Sequence, residues 1–450
     1  MKLRSYFEMP CGMREVFASL QLSSPLSGHL LLEREMPVAS YKIALLYRQL
    51  EDAVNALRDN NICNRAEIAK SVLTGLRDIR NTLSSISAGK VPDDIELYEI
   101  KNLAMISERV RPILKEISQS LPGLPVLEPV VDLLDPESFR VPSFYIYDSY
   151  DSRLSEIRRE IKASSAFSEE LYSQCALIED EVRRDLSVRL IPFVNDLNDA
   201  MHSLAEADIL LAKANLFIKW HLVIPEISEK ETSYTEMFNP EISELLGHKG
   251  MVYQPVSLMI RKGTPTLLVG ANMGGKSVTL RTLALSQLMF QFGLGVPAQC
   301  AEVIPIHQIH FLSGDYQDIK KGLSSFAAEM RQIDKLLRDS EKSSSILALL
   351  DEPAKTTNPY EGRALVESLL SILKERGILS ITATHYNADP EGCVKLRVKG
   401  MENGVMNYQI VCADGGEAPR EAINIAKSLG IDERWLNEAV RLMENKYNNI

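Results

Sequence analysis

The sequence predicts an α/β domain with mostly parallel central strands in its C-terminal half, preceded by an all-α region. Two patterns carry this reading. Beyond about residue 250, short apolar runs alternate with helix-patterned segments, the order that builds a parallel sheet with helical crossovers. Before about residue 222, apolar residues recur mainly at helical spacing.

Taken in order, residues 41–57 show the helical period, and 93–110 repeat it after a start at Pro92. Residues 121–150 change to proline- and aromatic-rich text, which suits an irregular crossing or short strands at a joint. Charged helical periodicity returns over 151–222, with a dip at Pro192. There Arg158 and Arg159 alternate with Glu156 and Glu160, as on an ion-paired exposed helix. Residues 225–250 read as a linker. Strands are expected at 256–260, 266–269, 309–312, 346–350 and 379–383, a helix at 277–292, and an edge strand at 405–411. His307 and His310 are expected to flank or cap the 309–312 strand.

The most informative segment is Gly270-Ala271-Asn272-Met273-Gly274-Gly275-Lys276-Ser277, between the apolar run Thr266-Leu267-Leu268-Val269 and a strongly apolar helix pattern. The spacing of Gly270, Gly275, Lys276 and Ser277 is the P-loop pattern: backbone N–H groups cradle phosphates, the lysine adds a point charge and the hydroxyl binds magnesium. A second apolar strand ends in Asp351 and Glu352, at the sheet edge where doubly wound folds keep their ligands. In that architecture the first carboxylate holds magnesium and the second orients and deprotonates the attacking water. Ala383-Thr384-His385-Tyr386 follows another strand, so His385 belongs to the same edge. Gly322-Leu323-Ser324-Ser325-Phe326-Ala327-Ala328-Glu329-Met330 offers hydroxyls and free N–H groups where a helix starts, which suits an anion.

In these segments, taken in this order, the chain resembles the MutS family of ABC-type ATPases. Val296-Pro297-Ala298 and the closing segment 420–430 are further matches. Residues 75–80, 157–161 and 204–214 resemble the helical core and lever of the MutS branch that carries a C-terminal nuclease. The resemblance implies an α/β ABC-type P-loop ATPase domain with an N-terminal all-α core and lever region. It divides the chain into a helical core (1–120), a joint with lever helices (121–235), and an ATPase domain with a helical dimerisation tail (236–450). ATP and Mg2+ are the implied cofactors: Gly270, Asn272, Gly274, Gly275, Lys276 and Ser277 hold the phosphates, Ser277 and Asp351 the metal. Glu352 activates water, and His385 positions that water or contacts the γ-phosphate. Ser324 and Ser325 reach the nucleotide of a partner subunit, which makes the site composite and the protein a homodimer. Tyr253 is the candidate for stacking on adenine.

Departures and absences shape the rest. The turn after Glu352 reads Pro353-Ala354-Lys355-Thr356 where relatives are glycine-rich, and Ala271 replaces the usual proline; alanine resists the positive φ that glycine permits. The outgoing lever pattern ends near Ser165 and the returning one starts near Ile178. That leaves about a dozen residues where relatives insert a DNA clamp, too few for a domain. A mismatch-binding domain before the core and a nuclease after residue 450 are likewise not expected. Two readings of the target stay open: DNA, as in the family at large, or a second protein. The layout is similar to clampless MutS-like subunits thought to reactivate a cobalamin-dependent lysine aminomutase.

Composition sets the class. Hydrophobic residues make up 45% and charged residues 25% of the chain, with a formal charge of -11, which argues against a broadly basic nucleic-acid surface. Lys320, Lys321, Arg331, Lys335 and Arg338 read as phosphate contacts or solvated helix faces. The six cysteines form no C-x-x-C pair, and the histidines show no zinc constellation. Neither a signal core nor a membrane span is expected, so the expected location is cytoplasmic.

Overall fold

The structure is a computed structural model of the 450-residue chain. It describes residues 1–117, 123–163, 168–270, 274–313, 325–386, 388–402, 405–413, 426 and 430–447, without the side chains of Ser325 and 443–447. The helices up to residue 219 are α1 (Met13–Ser19), α2 (Pro25–Glu33), α3 (Ser40–Leu57), α4 (Asn60–Leu73), α5 (Arg80–Ser87), α6 (Asp94–Ile117), α7 (Glu128–Leu134), α8 (Ser152–Ala163), α9 (Glu169–Leu190) and α10 (Val194–Lys219). Then follow β1 (Glu226–Ile227), β2 (Glu231–Met237), α11 (Pro240–His248), β3 (Val256–Arg261), β4 (Thr266–Val269), α12 (Lys276–Gln291), β5 (Cys300–Val303) and β6 (Gln308–Ser313). The chain continues through α13 (Ser325–Lys342), β7 (Ile346–Asp351), α14 (Pro359–Glu375), β8 (Leu379–Thr384), β9 (Val394–Glu402), β10 (Val405–Cys412) and α15 (Glu433–Tyr447). The result is a mixed α/β fold with a helical N-terminal part. Among the described residues, no helix is long and apolar enough to cross a membrane.

Two compact units form, one of Leu20–Arg34 and Arg48–Leu216, the other of Met1–Ser19, Glu35–Tyr47 and Phe217–Ile450. The first is helical. Ser24 caps α2 by accepting the Ser27 N–H at 3.1 Å, ahead of Pro25 in the first turn, where its missing N–H costs nothing. Along α6, Leu97, Ile100, Ala104, Ser107, Val110 and Leu114 are buried, the stripe expected of a 3.6-residue period. The helix runs on beyond the expected end at Val110 and passes Pro112, because its apolar stripe continues to Ile117. Residues 123–150 hold α7 and irregular chain but no strand. The buried Lys101 Nζ donates to Asp135 Oδ1 at 3.0 Å, to Tyr147 Oη at 3.2 Å and to Ser143 O at 3.0 Å, so this joint is pinned by a paired charge.

The returning helix begins at Glu169, earlier than the expected start near Ile178, with Ser168 as its N-cap. Arg158 does not pair along its own helix either. Its guanidinium donates to Glu179 on α9 at 2.7 Å and to Ile146 O at 2.8 Å, and it also pairs with Asp148, tying α8 to α9.

The second unit holds two sheets. The larger has strand order β10-β9-β4-β8-β7-β6, parallel except for the antiparallel edge strand β10. Every residue of β7 and β8 is buried, as expected of central parallel strands covered on both faces. Leu312, Leu336, Ala348, Leu350, Leu369 and Leu373 form one core cluster from β6, α13, β7 and α14. In register, Val269 lies opposite Thr384 and Asp351 opposite Ala383, so the loops after β4, β7 and β8 leave the sheet at one edge.

The smaller sheet, β1-β5-β2-β3, corrects two expectations. Residues 225–250 are not a linker, since they contain β1, β2 and α11. The strand at 256–260 pairs with β2 instead of joining the parallel sheet. Only Thr232, Tyr234 and Met237 of β2 are buried, and the adjacent exposed Thr235 and Glu236 break the alternation. His310 lies buried inside β6, its Nε2 3.4 Å from Asp339 Oδ2, and does not cap the strand.

Candidate active site

After β4 the chain turns at Gly270, whose φ is +153°, and re-enters α12 through Gly275, whose φ is +76°. Glycine is required twice at 275: the left-handed backbone disfavours any Cβ, and an added one would lie 3.0 Å from Tyr408 Cδ1. Among the described residues no side chain caps α12, so its first N–H groups and positive dipole end can receive an anion. Lys276 is 5% exposed, and its Nζ donates to Gly270 O at 2.6 Å.

Asp351 ends β7. The Ser277 hydroxyl is close enough to its carboxylate to lower the pKa, yet Oδ1 is buried with no hydrogen-bond partner among the described residues. Burial, and secondarily Glu352, raise the Asp351 pKa against the opposing pull of Ser277, Arg281 and Lys276. Glu352 follows with φ +51°, its N–H bonded to Ala383 O at 2.8 Å. Burial alone would raise its carboxyl, but Lys355, Lys276 and His385 outweigh burial and hold it below the usual range. The Lys355 Nζ lies 2.6 Å from Glu352 Oε2.

These groups share the wall of a cavity of about 1050 Å³, whose polar lining includes Gly274–Thr279, Arg281, Asp351, Glu352 and Lys355. Ile242, Leu246, Val252, Tyr253 and Tyr408 add apolar and aromatic surface to the same wall. Gln254 fixes Tyr408 there by donating to Met406 O at 3.2 Å and accepting the Tyr408 N–H at 3.0 Å. Burial raises the Tyr253 pKa against the opposing pull of Thr282 and the Asn239 backbone. A cavity of this size, lined by Lys276, Arg281 and Lys355, two carboxylates and two aromatic rings, can take an anionic ligand that carries an aromatic group.

The structure thus brings together Gly274, Gly275, Lys276, Ser277, Asp351 and Glu352, with Gly270 at the loop's start. His385 is exposed, stands outside the cavity wall and packs on Tyr386 at 4.4 Å between ring centroids, close enough to act on the Glu352 charge. Asn272, Ser324, Lys320, Lys321 and most of 420–430 lie outside the described residues, and of Ser325 only the backbone is described, opening α13. Sequence reasoning missed Tyr408, Gln254 and Arg281, and saw Lys355 only as part of an unusual turn. The lysine did carry a signal, standing three residues after the candidate base.

Ala354 has φ +58° despite its Cβ. Two anchors outweigh alanine's resistance to this shape: its N–H donates to Glu329 Oε1 at 2.9 Å and its carbonyl accepts from Tyr386 Oη at 2.8 Å.

Comparison with known proteins agrees with this geometry. Residues 266–440, from the strand before the glycine loop into the last helix, match the model of MutS domain V. The chain carries a MutS-family ATPase region. It is similar to proteins named Endonuclease MutS2: 31% identical to that of Pediococcus pentosaceus over 290 residues, covering 60% of this chain and 35% of the relative. The relative from Halothermothrix orenii is 27% identical over 415 residues, covering 88% of this chain and 48% of the relative. With that of Caldanaerobacter subterraneus the identity is 32% over 253 residues, covering 54% and 31%. The chain thus spans between about a third and a half of the length of these relatives.

Proposed function

We propose that this protein is an ATP-hydrolysing switch of the ABC-type P-loop class, working as a homodimer with a composite site. The observation that carries this reading is the convergence, on one cavity, of the end of the glycine loop with Lys276, an Asp351 oxygen that has no partner among the described residues, and Glu352. The loop N–H groups and Lys276 hold the phosphates; Glu352, kept ionised by its basic neighbours, accepts the proton of the attacking water. His385 steadies the Glu352 charge.

The donor set suits magnesium. Among the described residues no cluster of three or more His, Cys, Asp or Glu side chains could hold a metal ion. One buried, unsatisfied carboxylate oxygen beside a hydroxyl is instead what Mg2+ takes from a protein that leaves the remaining positions to phosphate and water. Asp351 and Ser277 would hold it, and when bound it neutralises phosphate charge.

The division into core (1–120), joint and lever (121–235) and ATPase domain (236–450) belongs to the same proposal. Nucleotide-driven closure of the dimer, with Ser324 and Ser325 reaching the partner's nucleotide, is coupled to motion of α8, α9 and α10. We place the work of this motion on a second protein, because the formal charge of -11 and the close succession of Ala163 and Glu169 leave little for gripping DNA. The relatives' name, which contains endonuclease, favours DNA as the second reading.

The test is magnesium-dependent phosphate release from ATP, with equilibrium binding of a labelled nucleotide. Lys276→Ala should weaken binding by about 2–4 kcal/mol, since the loop loses its side-chain cation and keeps its N–H groups and the helix dipole. Undiminished binding would remove the phosphates from this loop.

A further inference from the structure

The turn that carries Glu352 is strained and anchored from outside the cavity. Glu352 and Ala354 are both left-handed, at φ +51° and +58°, a state that residues with a Cβ keep only where their surroundings over-determine it. Ala354 is gripped on both sides of its own residue: its N–H by Glu329 of α13, at 2.9 Å, and its carbonyl by the hydroxyl of Tyr386, just past β8, at 2.8 Å. Glu329 and Tyr386 are 6% and 7% exposed, so each bond is made away from competing water. Gly362 of α14 leaves room for the second bond: an added Cβ there would lie 2.4 Å from Tyr386 Oη and 2.7 Å from Cζ. Burying a carboxyl such as Glu329 is costly, and burial does raise its pKa against the help of the Ala354 N–H.

We propose that Glu329 and Tyr386 are positioning residues that clamp Ala354 and thereby hold Glu352 in the backbone conformation that places its carboxylate on the cavity wall. The inference rests on the reading of Glu352 as the base, and adds a dependence that the motifs do not show. The base is oriented only while α13, α14 and the end of β8 keep their mutual register.

Four chains are compared: the unmodified protein, Glu329→Ala, Glu329→Gln and Tyr386→Phe. Gln keeps an acceptor oxygen for the Ala354 N–H, and Phe removes the hydroxyl while keeping the ring beside Gly362. Because misplacing a reacting group by about 1 Å can cost 10²-fold, Glu329→Ala and Tyr386→Phe should each lower kcat at least about tenfold, with ATP affinity within about twofold of the parent. Glu329→Gln should retain kcat within about twofold. Amide hydrogen exchange over residues 352–356 should accelerate in the two damaged variants and not in Glu329→Gln.

Full turnover by both Glu329→Ala and Tyr386→Phe would overturn the clamp, as would a loss shared equally by Glu329→Gln or a parallel loss of ATP affinity. If the unmodified protein hydrolyses no ATP, the functional reading fails. The exchange measurement then still judges the clamp, and unchanged exchange over 352–356 overturns it whatever the turnover.

Discussion

Substituting alanine for Gly275 tests whether the loop geometry is what binds phosphate. The backbone there has φ +76°, a region that costs a residue with a Cβ roughly 1–2 kcal/mol. The new methyl would also stand 3.0 Å from Tyr408 Cδ1, a contact that forces the ring to give. Overpacking costs about 1–3 kcal/mol, and the lower end applies because Tyr408 is only partly buried. Together these make roughly 2–3 kcal/mol, which reaches nucleotide binding when the loop yields in place of the ring: a loss on the order of thirtyfold or more. Titration with a fluorescent ATP analogue and thermal unfolding read the two outlets of this strain. The double variant Gly275→Ala/Tyr408→Ala separates them, since it removes the clash and leaves the φ penalty. Parent-like affinity and melting temperature in Gly275→Ala would refute the reasoning.

Lys355→Ala should remove the foremost of the attractions that offset burial at Glu352 and so raise its pKa. A base must be ionised to act, so the acid limb of the pH–rate profile should move to higher pH, with activity lost earlier as pH falls. An unmoved limb would show that Lys355 does not set this charge. Duplex DNA should bind weakly and no better with a mismatch, with a shallow slope of log affinity against log salt, since each neutralised phosphate contributes about -0.9. Fluorescence anisotropy over a salt series measures both, and a tenfold mismatch preference or a slope steeper than about -6 would restore DNA as the target.

What the sequence made legible is local. The glycine loop, Asp351, Glu352 and the strand before His385 each sit in a short string whose apolar run and punctuation can be read without knowing the fold. What escaped depends on partners far along the chain. Tyr408 meets Gly275 only because β10 pairs with β9, which itself lies beside β4. The strand β2 looked like a linker because the adjacent Thr235 and Glu236 are both exposed and break its alternation, and its partners, β3 and β5, follow it at different distances. Ala354 illustrates the same point. Its intrinsic preference was read correctly, but its two anchors lie 25 residues before it and 32 after it, and tertiary bonds decided the conformation.

The most direct test of the central claim is ATP turnover by Glu352→Gln, measured beside its ATP affinity. The amide cannot accept a proton, so turnover should fall at least about a hundredfold, in line with the 10²–10⁴ that a general base contributes, while binding is kept. Stable dimers should then appear on gel filtration only with ATP and magnesium, because hydrolysis is what opens them. Parent-like turnover in the variant would show that another group activates water, and a monomer under every condition would contradict the composite site.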